Sequence, residues 1–235
     1  MLLDVKNIDV LYDDFQVVWD VSINVNKAEM VAILGPNGSG KSTILNTVSN
    51  LVRHRSGSIH FGDNLISEIP THKRTELGIS HVLERRRVFP HLTVKQNLLL
   101  GAWHPKAKGE LSNSLSKIYK IFPKLEVRSN QLARTMSGGE QQMLAIARGM
   151  MGLPKLLMID EPFLGLSPMV VKDLIGIFKN IVREGISILF VEQNVRLALS
   201  MADRGYVLES GRLVVSGKSD DLINSDKVKK VFLGN

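Results

Sequence analysis

Cysteine is absent from the 235 residues of the sequence. Its absence excludes disulfide bonds, thiolate metal sites, iron–sulfur clusters and cysteine nucleophiles, and it fits a reducing compartment. Long apolar runs are absent as well, because no stretch approaches the roughly 18 uncharged apolar residues of a membrane-spanning helix. The segment Met1–Lys6 lacks a basic start followed by an apolar run, so we expect no signal peptide. These absences together predict a cytoplasmic protein.

The composition is that of a folded protein. Hydrophobic residues make up 44% and charged residues 23%, which is ordinary for a globular domain. A chain of this length forms one large domain or two small ones, and it buries roughly 70% of its unfolded surface. The formal net charge is +7, a balance that suits nucleic acid, an acidic membrane surface or phosphorylated ligands. The basic residues are mostly dispersed, with Arg85–Arg87 as the exception, so an ordinary solvated surface is favoured.

Hydrophobic periodicity predicts an α/β core that is interrupted by a helical insertion. Apolar residues alternate with polar ones over Val21–Val25, and Met30–Leu34 is a continuous apolar run typical of a fully buried strand. Residues 93–150 have helical character. Buried-strand runs return at Leu156–Ile159 and Ile186–Val191. Turn residues between short apolar runs predict two hairpins, at 58–66 and 206–215.

Residues 35–43, with the sequence GPNGSGKST, match the phosphate-binding pattern G-x-x-x-x-G-K-[ST]. The glycines let backbone N–H groups turn inward around phosphate oxygens, and a helix predicted over 44–52 offers its positive N-terminus to the same anion. Lys41 is predicted to reach the terminal phosphates and Ser42 to bind Mg²⁺. The predicted nucleotide-binding residues are Gly35, Pro36, Asn37, Gly38, Ser39, Gly40, Lys41, Ser42 and Thr43.

Two adjacent acids follow the predicted strand Leu156–Ile159. Because ligands of parallel sheets bind at the carboxyl ends of the strands, Asp160 and Glu161 are predicted to lie beside the phosphate loop. A division of labour follows from their chemistry. Asp160 can hold Mg²⁺ through water, whereas Glu161 can polarise an attacking water.

The segment Met136–Gln142, MSGGEQQ, marks the start of another helix. Ser137 precedes Glu140 by three residues, which is the spacing of a capping box. The two glycines between them suit close packing. Alternatively, the bare N–H groups of this helix end bind a second anion, and the residues themselves leave open whose phosphate that is.

The phosphate loop at 35–43, SGGEQQ at 137–142 and LLMIDEP at 156–162 resemble, in this order and spacing, the motifs of the ATP-binding-cassette ATPases. The resemblance covers essentially the whole chain. It implies a single domain with an α/β nucleotide-binding core, an antiparallel β subdomain and an inserted helical subdomain. We assign residues 1–85 and 152–235 to the core with its β subdomain, and 86–151 to the helical subdomain.

The resemblance also implies an assembly. Two cassettes pair head to tail, and ATP lies between the phosphate loop of one and the helix end formed by Ser137, Gly138, Gly139 and Glu140 of the other. The segment Gly165–Pro168 occupies the loop that crosses this dimer. Tyr12 stands where an aromatic side chain stacks on adenine.

Two positions depart from the common pattern of the family. Glu84 stands where glutamine is usual in the loop before the helical insertion, and Gln193 stands where histidine is usual after the strand ending at Val191. All six histidines lie at or before position 104, so none can replace Gln193. The predicted catalytic residues are Lys41, Glu161 and Gln193, and the predicted Mg²⁺ ligands are Ser42, Glu84 and Asp160.

The same departures narrow the subfamily. Glu84 followed by RRVFP at 86–90, together with VEQN at 191–194, is similar to the shorter ATPase subunit of branched-chain amino-acid importers. Importers of urea or short amides share parts of this pattern. The resemblance implies a second ATPase subunit, identical or related, a polytopic permease and, indirectly, a periplasmic or extracellular solute-binding protein. The chain would then lie on the inner face of the cell membrane.

Two other functions compete with this one. A soluble ATPase of the same family acting on nucleic acid is slightly favoured by the charge of +7 and by Arg85–Arg87. The chain lacks the long coiled-coil insertion or second cassette of such proteins, so nucleic acid is not the expected partner. A phosphate-loop kinase would have no use for Ser137–Gly139.

Overall fold

The computed structural model describes residues 1–233. The strands of this part of the chain are β1 (Leu3–Tyr12), β2 (Phe15–Val25), β3 (Met30–Leu34), β4 (His54–Phe61), β5 (Asn64–Leu65), β6 (Ile79–Val82), β7 (Leu156–Asp160), β8 (Ser187–Glu192), β9 (Arg204–Glu209) and β10 (Arg212–Lys218). The helices are α1 (Lys41–Val48), α2 (Thr71–Leu77), α3 (Val94–Gly101), α4 (Pro105–Gly109), α5 (Leu111–Ile121), α6 (Pro123–Val127), α7 (Gly138–Met150), α8 (Pro168–Arg183), α9 (Val195–Leu199), α10 (Ser219–Ile223) and α11 (Asp226–Leu233), with a 3-10 turn at Ala133–Thr135.

The strands form two sheets. One has four strands in the order β2-β1-β4-β5, and the other has six in the order β10-β9-β3-β8-β7-β6. In the larger sheet β3 runs parallel to β8 and β9, and β7 runs parallel to β6 and β8. The carboxyl ends of β3, β7 and β8 therefore meet at one edge, where ligands of parallel sheets bind. The predicted α/β fold is confirmed.

The central strand β3 shows why both faces of the larger sheet are covered. Val31 and Ile33 point into a core shared with α1 and the smaller sheet, whereas Ala32 and Leu34 point into a core shared with α7 and α8. This alternation is the two-residue period of a strand. All five residues of β3 are buried, as expected of a strand between two layers.

The helices α3–α7 lie in the chain between β6 and β7. Helix α7 packs against α3, β6 and β7, and one hydrophobic cluster runs from these helices into the larger sheet. The division of the chain at residues 86 and 151 therefore remains a prediction. Within residues 1–233 no helix combines the length and the apolar content required to cross a bilayer.

Several local predictions can be compared with these elements. The hairpins are confirmed, since β4 pairs with β5 and β9 pairs with β10, both antiparallel. The helix predicted over 44–52 was wrong in extent: α1 begins at Lys41 and ends at Val48. It ends there because Asn50 has a left-handed backbone, with φ at 60°, and a non-glycine residue in that conformation stops a helix.

Candidate active site

The phosphate loop connects β3 to α1 and folds back on its own lysine. Lys41 is 4% exposed, and its Nζ donates to the carbonyl oxygens of Gly35 and Pro36, each at 2.9 Å. Burial lowers the pKa of Lys41, and three carboxylates oppose that shift, namely Glu161, Asp160 and Glu192. The ammonium group is thus held at the loop by two carbonyl oxygens, with three carboxylates near it.

The loop needs glycine at the positions where it turns and where it touches the sheet. Gly40 precedes α1 with φ at 95°, a conformation that favours glycine. A Cβ on Gly35 would lie 2.4 Å from the carbonyl oxygen of Leu208 and 2.4 Å from Ser39 Oγ. In the described chain no side chain caps α1 and no partner reaches the buried Ser39 Oγ. The free N–H groups and this hydroxyl fit an anion at the start of α1.

Asp160 ends β7 and meets the phosphate loop directly. Its Oδ1 accepts a hydrogen bond from Ser42 Oγ at 3.0 Å. Burial raises the pKa of Asp160 to about 6, with the carboxylates of Glu161 and Glu84 adding to the rise, while Ser42 and Lys41 oppose it. A hydroxyl and a carboxylate side by side are hard oxygen ligands. They fit Mg²⁺, which binds through few protein ligands and fills the rest of its shell with water and phosphate oxygens.

Glu84 lies in the loop after β6 and lines the same cavity as Ser42. Its Oε1 is 3.6 Å from Arg85 Nε, and its side chain is 39% exposed. The carboxylate therefore shares a cavity with Ser42 and is not held in a buried ion pair.

Glu161 and Gln193 form a side-chain pair at the sheet edge. Gln193 Nε2 donates to Glu161 Oε1 at 2.5 Å. Gln193 does not cap α9, because the capping oxygen there is Asn194 Oδ1, which accepts from the Leu197 N–H at 3.1 Å. One N–H of the Gln193 amide is thus committed to a carboxylate in the site, and its second N–H and its carbonyl oxygen are available to a ligand.

A cavity of about 370 Å³ brings nine of the predicted site residues together. Its lining comprises Val17, Asn37, Gly38, Gly40, Lys41, Ser42, Thr43, Glu84, Glu161, Leu164 and Gln193. Tyr12 is absent from this lining and is 44% exposed, so its stacking on adenine remains a prediction.

The structure places Ser137–Glu140 away from this cavity, at the N-terminus of α7. The predicted capping box is confirmed: Ser137 Oγ accepts from the Glu140 N–H at 3.3 Å, and Glu140 Oε2 accepts from the Ser137 N–H at 2.9 Å. A Cβ on Gly138 would meet only the guanidinium group of Arg86, which is the flexible end of a long side chain, so packing alone does not require glycine there. Arg86 Nη2 donates to the Gly165 carbonyl oxygen at 3.3 Å, which joins three loops on this face.

Three residues at or beside the cavity were not predicted from the sequence, namely Glu192, Val17 and Leu164. Glu192 ends β8 and is 6% exposed. The only signal in the sequence is a charged residue directly after the apolar run Ile186–Val191, and that position is equally typical of a strand end that meets solvent. Val17 and Leu164, which line the cavity, carry no pattern that distinguishes them from core residues.

The fold and the site together define a phosphate-loop nucleotide hydrolase. A buried lysine and free N–H groups fit the phosphates of a nucleotide, and two adjacent acids have the chemistry to bind a metal ion and to orient water. The family model described as ABC transporter matches residues 18–164, which is more than half of the chain. The chain belongs to this family and is an ATP-binding ATPase of it.

Curated relatives match along the whole chain. The chain is 41% identical to BraG of Pseudomonas aeruginosa, a high-affinity branched-chain amino acid transport ATP-binding protein, over 99% of the chain and 100% of BraG. It is 35% identical to LivF of Archaeoglobus fulgidus, a probable branched-chain amino acid transport ATP-binding protein, over 100% of the chain and 99% of LivF. It is 34% identical to LptB of Haemophilus influenzae, the lipopolysaccharide export system ATP-binding protein, over 99% and 97%.

A solved structure supports the fold independently. The crystal structure of a nucleotide-free ATP-binding cassette from an ABC transporter superposes with a TM-score of 0.89 at 26% identity. The superposition covers 100% of this chain and 99% of that cassette. The two-sheet architecture with inserted helices is therefore the cassette fold.

Proposed function

We propose that this chain is the ATP-hydrolysing subunit of an importer of branched-chain amino acids. The observation that carries the proposal is the 41% identity to BraG along the full length, combined with a phosphate loop, a water-orienting pair and a cap motif in one fold. LptB is less similar, at 34%, so lipopolysaccharide export is the alternative that the experiment below must separate.

The roles of the side chains follow from the site. Lys41 and the loop N–H groups bind the terminal phosphates. Glu161 orients the attacking water, and Gln193 bridges that water and the γ-phosphate through its donor and its acceptor. Tyr12 stacks on adenine. The contact between Gln193 and Glu161 at 2.5 Å supports their joint action.

Mg²⁺ is the metal that this set of ligands fits. Ser42 and Asp160 would hold it, and Glu84 would reach it directly or through water. Mg²⁺ supplies positive charge that stabilises the negative charge on the transferring phosphoryl group. Glu84→Gln should raise the Mg²⁺ concentration required for half-maximal hydrolysis, because one anionic ligand is lost. Superimposable Mg²⁺ titrations of variant and wild type would make Glu84 a linker residue only.

The assembly proposed for the chain has three parts. A second cassette, identical or related, presents its phosphate loop to Ser137–Glu140 of this chain. A polytopic permease forms the pathway, and a solute-binding protein outside the membrane delivers the solute. The chain then lies on the inner face of the membrane, with its core formed by 1–85 and 152–235 and its helical subdomain by 86–151.

Purification and transport test the function together. The tagged chain is isolated from detergent-solubilised native membranes, and the complex is reconstituted in vesicles with radiolabelled leucine. We expect a polytopic membrane protein to co-purify, and leucine uptake to depend on ATP and to stop in Glu161→Gln. Co-purification of a lipopolysaccharide exporter, or of nucleic acid in a salt-sensitive manner, contradicts the proposal.

A further inference from the structure

Glu192 is a buried carboxylate that has no role in the proposed mechanism of hydrolysis. It is 6% exposed, and within residues 1–233 no basic nitrogen lies within 4.0 Å of it. Burial raises the pKa of Glu192, and backbone N–H groups of Phe163, Gln193 and Asn194 oppose the rise. Burying an unpaired carboxylate is costly, and these hydrogen bonds offset part of that cost.

The two oxygens of Glu192 reach two different loops. Oε1 accepts from the Phe163 N–H at 3.2 Å, and Oε2 accepts from the Gln193 N–H at 3.1 Å. Phe163 lies two residues after Glu161. One carboxylate therefore joins the backbone that carries the water-orienting acid to the backbone that carries its amide partner.

The same two loops are fixed around this joint. The Glu161 N–H donates to the Val191 carbonyl oxygen at 3.2 Å. The ring of Phe163 packs against Phe178 and Phe190, with centroids 5.7 and 6.5 Å away. These contacts bring the two loops together. The hydrogen bonds to Glu192 then fix the peptide groups of Phe163 and Gln193 relative to each other.

We propose that Glu192 is a positioning residue for ATP hydrolysis, which holds the carboxylate of Glu161 and the amide of Gln193 at the separation that orients the attacking water. The inference rests on the functions proposed above for Glu161 and Gln193. Glu192 does not line the cavity, so it acts through the two loops.

Accepting hydrogen bonds from both loops requires an ionised glutamate. A carboxylate offers acceptors on both oxygens and no donor, whereas a glutamine amide offers one acceptor and one donor group. In Glu192→Gln the Nε2 group would face the N–H group of either Phe163 or Gln193. The hydrogen bond from that N–H group would be lost. Aspartate keeps the charge but is one methylene shorter, so it cannot span both loops in the same backbone positions.

The first readout separates turnover from binding. In Glu192→Gln we expect kcat to fall about 10- to 100-fold, the range for reacting groups displaced by up to an ångström. Affinity for a non-hydrolysable ATP analogue with Mg²⁺ should stay within about twofold or tighten, because the phosphate contacts remain and a negative charge near Lys41 is removed. Glu192→Asp should show the same split.

Glu29→Gln is the matched control. Glu29 precedes β3 at the opposite end of the sheet, its Oε2 accepts from the Asn26 N–H at 2.7 Å, and it pairs with Arg204. It is also a partly buried carboxylate that joins backbone to a second segment. This variant should keep kcat within about twofold of wild type, because its contacts are remote from the site.

A double variant tests whether Glu192 acts through Gln193. Adding Glu192→Gln to Gln193→Ala should slow turnover by less than about twofold further, since coupled residues are not additive. If Glu192→Gln lowers kcat by the same factor in wild type and in Gln193→Ala, the inference is overturned. It is also overturned if Glu192→Gln keeps full kcat while Gln193→Ala is impaired. The proposed function survives both results. Full activity of Gln193→Ala overturns the role proposed for Gln193 and this inference with it. If Glu192→Gln does not fold, Glu192→Asp decides by the same criteria.

Discussion

Lys41 is held by the loop that it serves. Because its Nζ already bonds to Gly35 and Pro36, its removal loses both a phosphate contact and a tie within the loop. Lys41→Ala should weaken ATP binding by about 1.5–3 kcal/mol or more, as for a hydrogen bond to a charged group. Isothermal calorimetry measures this, with the exposed Lys27→Ala as control. Equal affinities for Lys41→Ala and wild type would show that the loop backbone suffices.

His81 makes stability depend on pH. Burial lowers the pKa of His81 from 6.5 to about 4, and its Nδ1 lies 3.0 Å from Ser49 Oγ. Between these two pH values His81 is protonated in the unfolded chain and neutral in the folded chain. The contribution of His81 to the free energy of unfolding therefore falls as pH drops from 6.5 to 4, and this contribution changes little below that range.

The contribution of His81 is isolated by comparison with His81→Gln. The variant should lose about 2 to 3 kcal/mol less stability than wild type across this range. The buried acids that titrate nearby are present in both proteins, so they cancel in the difference. Urea unfolding at several pH values gives the measurement, and the exposed His72→Gln should behave as wild type. Parallel stability curves for His81→Gln and wild type would contradict the assignment.

Two helices begin with the same capping box, which allows stability to be separated from function. Thr93 and Gln96 cap α3 as Ser137 and Glu140 cap α7. Thr93→Ala and Ser137→Ala should each cost about 0.5–2 kcal/mol of stability. Only Ser137→Ala should also slow ATP hydrolysis at 25 °C, because its helix end is the one proposed to contact the nucleotide of a second cassette. Thermal unfolding and steady-state hydrolysis provide the two readouts, and equal hydrolysis in both variants would reduce Ser137 to a cap.

The elements that could be predicted are those whose signal is local. β3 and β7 can be predicted from continuous apolar runs only a few residues long, and the cap of α7 from the spacing of three residues between Ser137 and Glu140. Glu192 could not be predicted, because its partner Phe163 lies 29 positions away in sequence and only the fold joins them. The end of α1 was missed for another reason, since apolar residues continue past the point where Asn50 turns the backbone.

For the assembled protein, the charge at Glu161 should govern association. Glu161→Gln keeps the size of the side chain but removes a negative charge from the surface that meets ATP. ATP should then bind without turnover, so the ATP-bound dimer should accumulate. Size-exclusion chromatography with Mg²⁺ and ATP should show a dimer for the variant and monomer for the same variant without nucleotide. Hydrolysis at the wild-type rate would contradict the role of Glu161.

The strand order also dictates when the site can exist during synthesis. β3 carries the phosphate loop, but its two neighbours in the sheet, β8 and β9, are encoded near the other end of the chain. Roughly 150 residues must be translated after β3 before β8 emerges, which takes about 8 to 30 s at 5–20 residues per second. Throughout that interval both edges of an entirely apolar strand lack their partners. The nascent chain thus carries a strand that is buried in the folded protein, without its sheet partners, until β8 and β9 have been synthesised.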